Sequence, residues 1–314
     1  MQTPEWAAVK SKYGWKFDSL TVNKHIIISY RRSIPGVGTL RYIPGLSGIT
    51  TPEISTLTSA LKKLYKSRGF AVRLELNQPH DNNDLQEYKR NGWKLASNHV
   101  QYRHTIAVEL SYPLDDIWMS FKSRGRYEIL QAQKAGIKVK DMELTDDNFD
   151  AMYELMQVTS VRNKFFIRDK QFTMEYWRTF AATGKLKLFF AYHNDELLAG
   201  SMILLNGRHA WNKDGGSVRS KANLMAPRLL QWEIMKKLKK QGIETYDLGG
   251  IPSPDSFAAS SISGIYVFKS AFSKKSLTLM PTLELPLSSR YALWPKAEKQ
   301  WLRIYNLFAH NLWW

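Results

Sequence analysis

Residues 246–272 read YDLGGIPSPDSFAASSISGIYVFKSAF, and this stretch joins two elements of different type. From Thr245 onward it has the apolar and aromatic pattern of a short strand, which breaks at Gly249 and Gly250. After a loop of small residues and Gly264, apolar side chains recur at helical spacing. Ligands of open α/β proteins bind beyond the carboxyl ends of strands, and paired glycines let a backbone approach them closely. The stretch therefore predicts a strand, a ligand-contacting loop and a helix.

Lys269 lies inside the apolar run of the predicted helix. Burying an ammonium group without a partner is costly, so the residues allow two explanations. The side chain reaches water along its own methylene groups, or it stays charged because an anion or a developing oxyanion comes to it. The local sequence leaves both explanations open.

Four further segments accompany this stretch in the sequence. They are residues 3–15 (TPEWAAVKSKYGW), 123–139 (SRGRYEILQAQKAGIKV), 161–169 (VRNKFFIRD) and 229–250 (LLQWEIMKKLKKQGIETYDLGG). Together with YDLGGI and YVFKSAF, they resemble segments of the FemABX family in the family's order. These proteins are aminoacyl-tRNA-dependent peptidyltransferases that build the side branches of peptidoglycan precursors. The resemblance implies an α/β fold of two GNAT-like domains with mixed sheets flanked by helices.

The order of predicted helices and strands starts again near residue 114, which agrees with two such domains. We expect domain 1 at 1–111, domain 2 with the lysine at 112–281, and a final segment, 282–314, that packs back on domain 1. The elements expected along the way include a Gly/Pro-rich loop at 35–48, a strand at 105–110 that completes domain 1, a helix at 115–135 and a strand at 277–287. The sequence lacks the long charged coiled-coil insertion that some family members carry.

Composition restricts the partners and the compartment. The chain has 314 residues, a formal net charge of +17 and no cysteine, which excludes disulfides and thiolate chemistry. A strong basic excess predicts a polyanionic partner, either nucleic acid or an anionic membrane face. The start MQTPEWAAVKSKYGW has no apolar run of signal-peptide length, so we expect a cytoplasmic monomer, with peripheral contact at the inner membrane face as an open option. The spacing of the seven histidines gives no metal-site signal.

The linker at 217–227 bears on the choice of acyl donor. Acetyl-CoA enzymes of the GNAT class hold the pyrophosphate with a glycine-rich turn before a helix. Here the linker reads SVRSKANLMAP and contains no glycine. The sequence therefore argues against CoA.

The resemblance implies a chemistry that needs no ATP, metal or other cofactor, because the amino acid arrives as an activated ester on tRNA. Lys269 matches the family lysine that stabilises the oxyanion of the tetrahedral intermediate. Lys10 and Arg168 match positions that hold the nucleotide or diphosphate part of the precursor. Phe172 and Asp214 stand where members that bind a UDP-linked precursor have tyrosines, which leaves a lipid-linked precursor at least as probable. The remaining residues assigned to substrate binding are Tyr246, Gly249, Gly250 and Phe268.

Two surfaces are open to more than one interpretation. Lys122, Arg124, Arg126 and Lys134 share the polar side of the helix at 115–135, and they form either a solvated face or a contact for tRNA phosphates or acidic lipid. The last helix carries an aromatic stripe that includes Trp301 and ends in Trp313-Trp314, and it either docks on domain 1 or lies on a membrane.

Three other function classes stay open on the sequence. They are a CoA-dependent GNAT acetyltransferase, an aminoacyl-tRNA transferase that acts on protein N-termini, and a non-enzymatic RNA-binding module.

Overall fold

The structure, a computed structural model, describes residues 1–253 and 263–309. It divides into two units. The first comprises Met1–Arg103 and the described residues from Thr278 onward, and the second comprises His104–Leu277.

The elements follow one another along the chain without long connections. In the first hundred residues they are α1 (Pro4–Lys12), β1 (Lys16–Val22), β2 (His25–Ile34), β3 (Gly38–Leu46), α2 (Glu53–Tyr65), β4 (Ala71–Leu76), α3 (Asn82–Arg90) and β5 (Lys94–Leu95). Then come β6 (His104–Glu109), α4 (Leu114–Ser120), α5 (Ser123–Lys134), β7 (Lys138–Met142), α6 (Asp146–Asn163), α7 (Lys170–Ala181), β8 (Leu186–His193), β9 (Glu196–Asn206), β10 (His209–Ser217), α8 (Ala226–Lys240) and β11 (Thr245–Ile251). The last are α9 (Ser263–Lys269), β12 (Leu277–Thr278), β13 (Leu283–Pro286) and α10 (Trp294–Ala309).

The first unit is built on a mixed sheet with the strand order β1-β2-β3-β4-β13-β5. The loop predicted at 35–48 is wrong, because most of it forms β3, parallel to the fully buried β4. Gly38, Pro44 and Gly45 suggested a loop, whereas Leu40 and Tyr42 provide the buried side chains that a strand needs. Composition alone misled here, because packing against β4 overrides the weak strand propensity of glycine and proline.

A buried ion-pair network joins α10 to this sheet. The Arg73 guanidinium donates from Nε to Glu284 Oε1 at 2.8 Å, and it also pairs with Glu298 of α10. Trp294, fully buried, donates from Nε1 to Glu284 Oε1 at 3.1 Å. The last described helix thus has a polar anchor in the first unit. Trp313 and Trp314, which sequence analysis linked to a membrane, lie outside the described residues.

The second unit contains a sheet with the order β12-β6-β11-β10-β9-β8-β7. Helices cover both of its faces. Phe189 and Ala191 of β8 belong to the same buried core as α8 and α5, whereas Phe190, between them, points to the opposite face. There a side chain at Gly200 would meet both Phe190 and Met152 of α6. This layered α/β arrangement confirms the predicted fold class.

Three predicted elements differ from the structure. The strand predicted to complete the first domain is β6, which instead pairs antiparallel with β11 in the second sheet. The segment at 277–287 is two short strands, β12 and β13, because the intervening residues include Pro281, which has no N–H to donate to a ladder.

The helix predicted at 115–135 is also wrong, since α4 and α5 are separate helices. Phe121 and Lys122 between them have extended backbones. Phe121 is fully buried and packs edge-on against Trp232 and Phe272, at 5.4 and 5.3 Å between ring centroids. The Lys122 N–H donates to the Ala271 carbonyl at 2.9 Å instead of continuing a helix. Tertiary packing breaks the helix where periodicity alone predicts continuity.

Within residues 1–253 and 263–309, no helix is both long enough and apolar enough to cross a membrane.

Candidate active site

The second sheet opens between two of its central strands. β10 and β11 pair in parallel only from His209 to Trp211 and from Thr245 to Asp247. Beyond these residues each strand continues without pairing to the other, and a cavity of about 580 Å³ lies in this region, with walls from α6, β10, α8 and α9. A split between parallel strands at their carboxyl ends is a typical ligand site of α/β proteins.

Lys269, the last residue of α9, lies in the wall of this cavity. Its ammonium donates a hydrogen bond from Nζ to the Gly250 carbonyl at 2.8 Å. Burial lowers the pKa of Lys269 to about 8, and nearby Asp247 opposes that shift. The ammonium therefore remains protonated in most molecules at neutral pH, and it is aimed at the end of β11.

Gly249 makes room for this ammonium. The strand was predicted to end here, but β11 continues to Ile251 because Gly250 and Ile251 pair with β6 after an irregularity in the register. Gly249 has a φ of +83°, and a Cβ at this position would lie 3.3 Å from Lys269 Nζ and 3.3 Å from the Asn212 carbonyl oxygen. Both the backbone conformation and the contact with Lys269 require glycine.

Asp247 supports the irregular end of β11. Its Oδ1 accepts a hydrogen bond from the Gly249 N–H at 2.7 Å and another from the Thr105 hydroxyl. The carboxylate thus fixes the turn that carries Gly249 and Gly250, and its charge favours the protonated form of Lys269.

Arg228 and Glu128, which sequence analysis did not select, hold α9 in place. Arg228 of α8 donates from Nε to Glu128 Oε2 of α5 at 2.6 Å. Its two other nitrogens donate to the carbonyls of Val267 and Phe268, directly before Lys269. The available signal was a glutamate and an arginine on helix faces that are otherwise apolar, but nothing in the sequence pairs positions 128 and 228.

Phe268 and Gly125 complete this support. Phe268 lines the cavity, and its ring lies 4.6 Å from the Arg228 guanidinium. A Cβ at Gly125 would lie 2.9 Å from Cβ of Ala271, so the glycine of the SRGRY motif allows α5 to approach the chain just after Lys269. The motif that resembled the family therefore has a packing reason in this chain.

A second polar cluster lies around α7. The Arg168 guanidinium stacks on the Phe172 ring at 4.4 Å, and Trp177 donates from Nε1 to Asp214 Oδ2 at 3.0 Å. Burial raises the pKa of Asp214 to about 7. The structure thus brings together three of the residues predicted to bind substrate, although Phe172 itself is buried.

Lys213, which sequence analysis missed, joins the two clusters. It sits at an irregularity in the pairing of β10 with β9, lines the same cavity as Lys269, and places Nζ 3.5 Å from Asp214 Oδ1. Burial and the nearby charge of Arg168 lower the pKa of Lys213 to about 8. Asp214 therefore already has two partners within the protein.

Two predicted substrate residues lie elsewhere. Tyr246 is fully buried in the core, where its hydroxyl donates to Gln231 Oε1 at 2.7 Å, and it does not line the cavity. Lys10 belongs to the first unit, where it is buried with its Nζ 5.6 and 5.7 Å from the ring centroids of Trp6 and Trp15. It is therefore not the solvated lysine that its polar sequence neighbours suggest.

The four cations predicted to meet tRNA do not form one open face. Lys122 donates to the Ser270 hydroxyl at 3.1 Å, and Arg126 to the Phe121 carbonyl at 2.5 Å. Arg124 pairs with Glu128 at 2.9 Å and borders the cavity, and Lys134 is exposed. The cavity has further cations in its own lining, namely Arg162, Lys213, Arg219, Lys221, Arg228 and Lys269.

Comparison with known proteins agrees with this geometry. A family model described as an acetyltransferase (GNAT) domain matches residues 120–263. A lipid II:glycine glycyltransferase of Staphylococcus haemolyticus (strain JCSC1435) is 20% identical, with 86% of this chain and 83% of that protein covered. One of the same name from Staphylococcus epidermidis (strain ATCC 12228 / FDA PCI 1200) is 21% identical over the same shares of the two chains.

Solved structures share the fold over nearly the whole chain. A crystal structure of FemX has a TM-score of 0.81 and 18% identity, covering 95% of this chain and 94% of that one. The structure of L-PGS from Bacillus licheniformis has a TM-score of 0.56 and 10% identity, covering 95% and 96%. With sequence matches and a shared fold that each extend over most of both proteins, the chain belongs to the FemABX family and has its GNAT-like α/β fold, as the motifs predicted.

Proposed function

We propose that this protein is an aminoacyltransferase that moves an amino acid from aminoacyl-tRNA to an amine on the stem peptide of a lipid-linked peptidoglycan precursor. The observation that supports this most is the Lys269 ammonium, held at the Gly250 carbonyl in the wall of a cavity that opens between β10 and β11. The relatives named lipid II:glycine glycyltransferase support the substrate class.

The reaction asks little of the protein beyond positioning and charge. The acceptor amine attacks the ester carbonyl, and the carbonyl oxygen becomes an oxyanion. Lys269 donates a hydrogen bond to that oxyanion and stabilises it. The intermediate collapses with cleavage of the ester C–O bond, the ribose oxygen of the tRNA leaves with a proton, and the nitrogen that attacked loses one. An amide replaces the ester, so no external energy source is needed.

The donor end is proposed to enter the cavity from the side of α6 and α8. Arg162 donates to the Ser217 carbonyl at 2.6 Å, and burial together with the nearby Arg219 lowers the pKa of Arg162. Two cations held this close are stabilised by an anion between or beside them. Phosphates at the 3′ end of an RNA supply such anions, and they would lead the esterified amino acid toward Lys269.

The acceptor is proposed to bind on the side of Arg168. Its guanidinium is presented flat on Phe172, which suits a fork-like contact with a diphosphate. Asp214 has Trp177 and Lys213 as partners within the fold, so it needs no uridine contact to account for it. Both points favour an acceptor whose diphosphate is linked to a lipid instead of a nucleotide. The contribution of Lys10 stays a prediction from the motif.

A donor-exchange experiment tests the proposal. Purified protein is incubated with lipid-linked precursor in detergent and with one of three donors: charged tRNA, the same tRNA after ribonuclease treatment, or acetyl-CoA. We expect the precursor to gain the mass of an amino acid residue with intact charged tRNA alone. A gain of an acetyl group from acetyl-CoA, with no product from any charged tRNA, would contradict it.

A further inference from the structure

The VRNKFFIRD motif contains more than the one arginine that the proposed function uses. Residues 157–168 read QVTSVRNKFFIR and include no acidic side chain. Three cations, Arg162, Lys164 and Arg168, alternate there with large apolar residues. Cations among apolar and aromatic side chains are the composition of a segment that lies at a membrane interface.

The apolar side chains of this segment are exposed in an ordered backbone. Val161 is 80% exposed and Phe166 58% exposed, and Val158 and Phe165 are partly exposed beside them. Val158 and Val161 are three residues apart on α6 and therefore share one helix face. We call these four residues, Val158, Val161, Phe165 and Phe166, the α6 rim.

Local hydrogen bonds fix the backbone of the rim. Lys164 has a left-handed backbone that ends α6, and the Phe165 N–H donates back to the Ser160 carbonyl at 3.2 Å. Further on, Tyr153 donates from its hydroxyl to the Arg168 carbonyl at 2.9 Å. The exposure of both phenylalanines is thus imposed by a tethered turn.

The rim is continuous with the cavity that contains Lys269. Arg162, Asn163 and Phe165 line that cavity, and Val161 and Phe166 are their immediate neighbours in the sequence. An acceptor whose head group reaches Lys269 while its hydrocarbon tail stays in the bilayer needs the mouth of the cavity to touch the bilayer surface. This step rests on the proposed function.

We propose that the α6 rim, with Arg162 and Lys164, is the surface through which the protein rests on an anionic lipid bilayer. The apolar side chains enter the interface, and the two cations pair with lipid phosphates. Each cation near an anionic membrane surface adds to binding, and each buried apolar side chain adds a hydrophobic contribution.

RNA is the other polyanion that a basic aromatic patch could meet. Bases stack on aromatic rings, so phenylalanine alone would suit either partner. Valine offers no ring for stacking, yet Val161 is the most exposed member of the rim. Aliphatic exposure of this extent favours lipid.

Vesicle binding tests the assignment without any substrate or turnover. Sedimentation with vesicles of phosphatidylcholine and phosphatidylglycerol is measured for wild type, for the double variant Val161→Ser/Phe166→Ser and for Lys164→Asn. Asparagine is chosen because it tolerates the left-handed backbone. The matched control is Ile26→Ser, which removes an isoleucine that is 71% exposed on β2 in the first unit.

We expect wild type and Ile26→Ser to bind equally, and the double variant to bind about tenfold more weakly. Lys164→Asn should weaken binding only when phosphatidylglycerol is present. All variants should keep the wild-type thermal midpoint, since the replaced side chains are exposed. No vesicle binding by wild type, or equal binding by the double variant, would overturn the proposal, as would a double variant that loses RNA affinity alone. A protein that binds vesicles through the rim but transfers no amino acid would refute the proposed function and leave this surface intact.

Discussion

At the scale of single residues, the account depends on where the Lys269 ammonium lies. The sequence allowed either a side chain that reaches water or one that meets an anion. The structure directs Nζ to the Gly250 carbonyl, beside a glycine whose missing Cβ leaves the space for it. A buried lysine whose pKa is lowered only to about 8 can still donate a proton to an oxyanion at neutral pH.

The pH dependence of turnover follows from this residue and its neighbour. Transfer should decline above about pH 8 as Lys269 loses its proton, because the pKa of Lys269 is about 8. Asp247 raises that pKa, so Asp247→Asn should lower it and move the decline in kcat to lower pH. Asparagine keeps an oxygen for the Gly249 N–H.

The measurement is kcat against pH at saturating acceptor and donor. Asp195→Asn, in the turn between β8 and β9, serves as the control and should leave the profile unchanged. A basic limb at the same pH in Asp247→Asn and wild type would show that Lys269 does not set it.

Sequence reasoning found Lys269 because a motif marks it, and it missed the residues that position it. Arg228 and Glu128 act as a pair, and the two positions are 100 residues apart in the chain. Lys213 becomes notable only when burial and Arg168 are seen around it. Tyr246 shows the reverse case: its place in the motif suggests substrate contact, but in the fold it bonds to Gln231 in the core. Pairings over long sequence distances cannot be read from local spacing.

At the scale of elements, the site exists because β10 and β11 pair over only part of their length. The end of β11 then bends at Gly249, and α9 brings Lys269 to the gap. The distance between strand and helix is set by the absence of a side chain at this one position.

Gly249→Ala should therefore impair turnover for a local reason. Alanine would have to adopt a φ near +83° and would place its Cβ 3.3 Å from Lys269 Nζ. A displaced ammonium should lower kcat by about 10- to 100-fold, the scale of loss that a small misplacement causes.

Gly242→Ala is the matched control for this substitution. Gly242 has a φ of +79°, and its Cβ would meet no atom within 4 Å. Both variants should lose about 1 to 3 kcal/mol of unfolding free energy in urea, because both strain the backbone. Only Gly249→Ala should lose turnover, and a comparable loss in Gly242→Ala would point to general destabilisation.

Most elements were predictable from periodicity and turn residues, including β4, α6 and the β8-β9 hairpin. The failures share one cause. β3 was hidden by its glycines and proline, and the break between α4 and α5 by a regular apolar pattern. In both cases burial against a distant part of the chain decided the structure, through β4 for the first and Phe272 for the second.

At the scale of the whole molecule, the net charge of +17 calls for an account of where the cations act. Lys122, Arg124 and Arg126 have partners within the protein, so the tRNA contact predicted for that face stays a prediction with fewer available cations. Arg219 is exposed and lines the cavity.

Titrations of RNA at several salt concentrations separate the two surfaces. If the cavity receives a single-stranded RNA end, Arg219→Ala should reduce the slope of log K against log salt by about 0.7, the contribution of one phosphate. Lys134→Ala, an exposed cation on α5, should leave the slope unchanged. A reduced slope in Lys134→Ala with none in Arg219→Ala would return the contact to the face that the sequence suggested.

The central claim is that the cavity with Lys269 transfers an amino acid from tRNA to the precursor. The most direct measurement is the single-turnover rate at which lipid-linked precursor gains an amino acid residue by mass, compared between wild type and Lys269→Met. We expect the variant to bind precursor as wild type does and to react about 10² to 10³ times more slowly, because the lysine stabilises charge that is present only in the transition state. An unchanged rate in Lys269→Met would contradict the account.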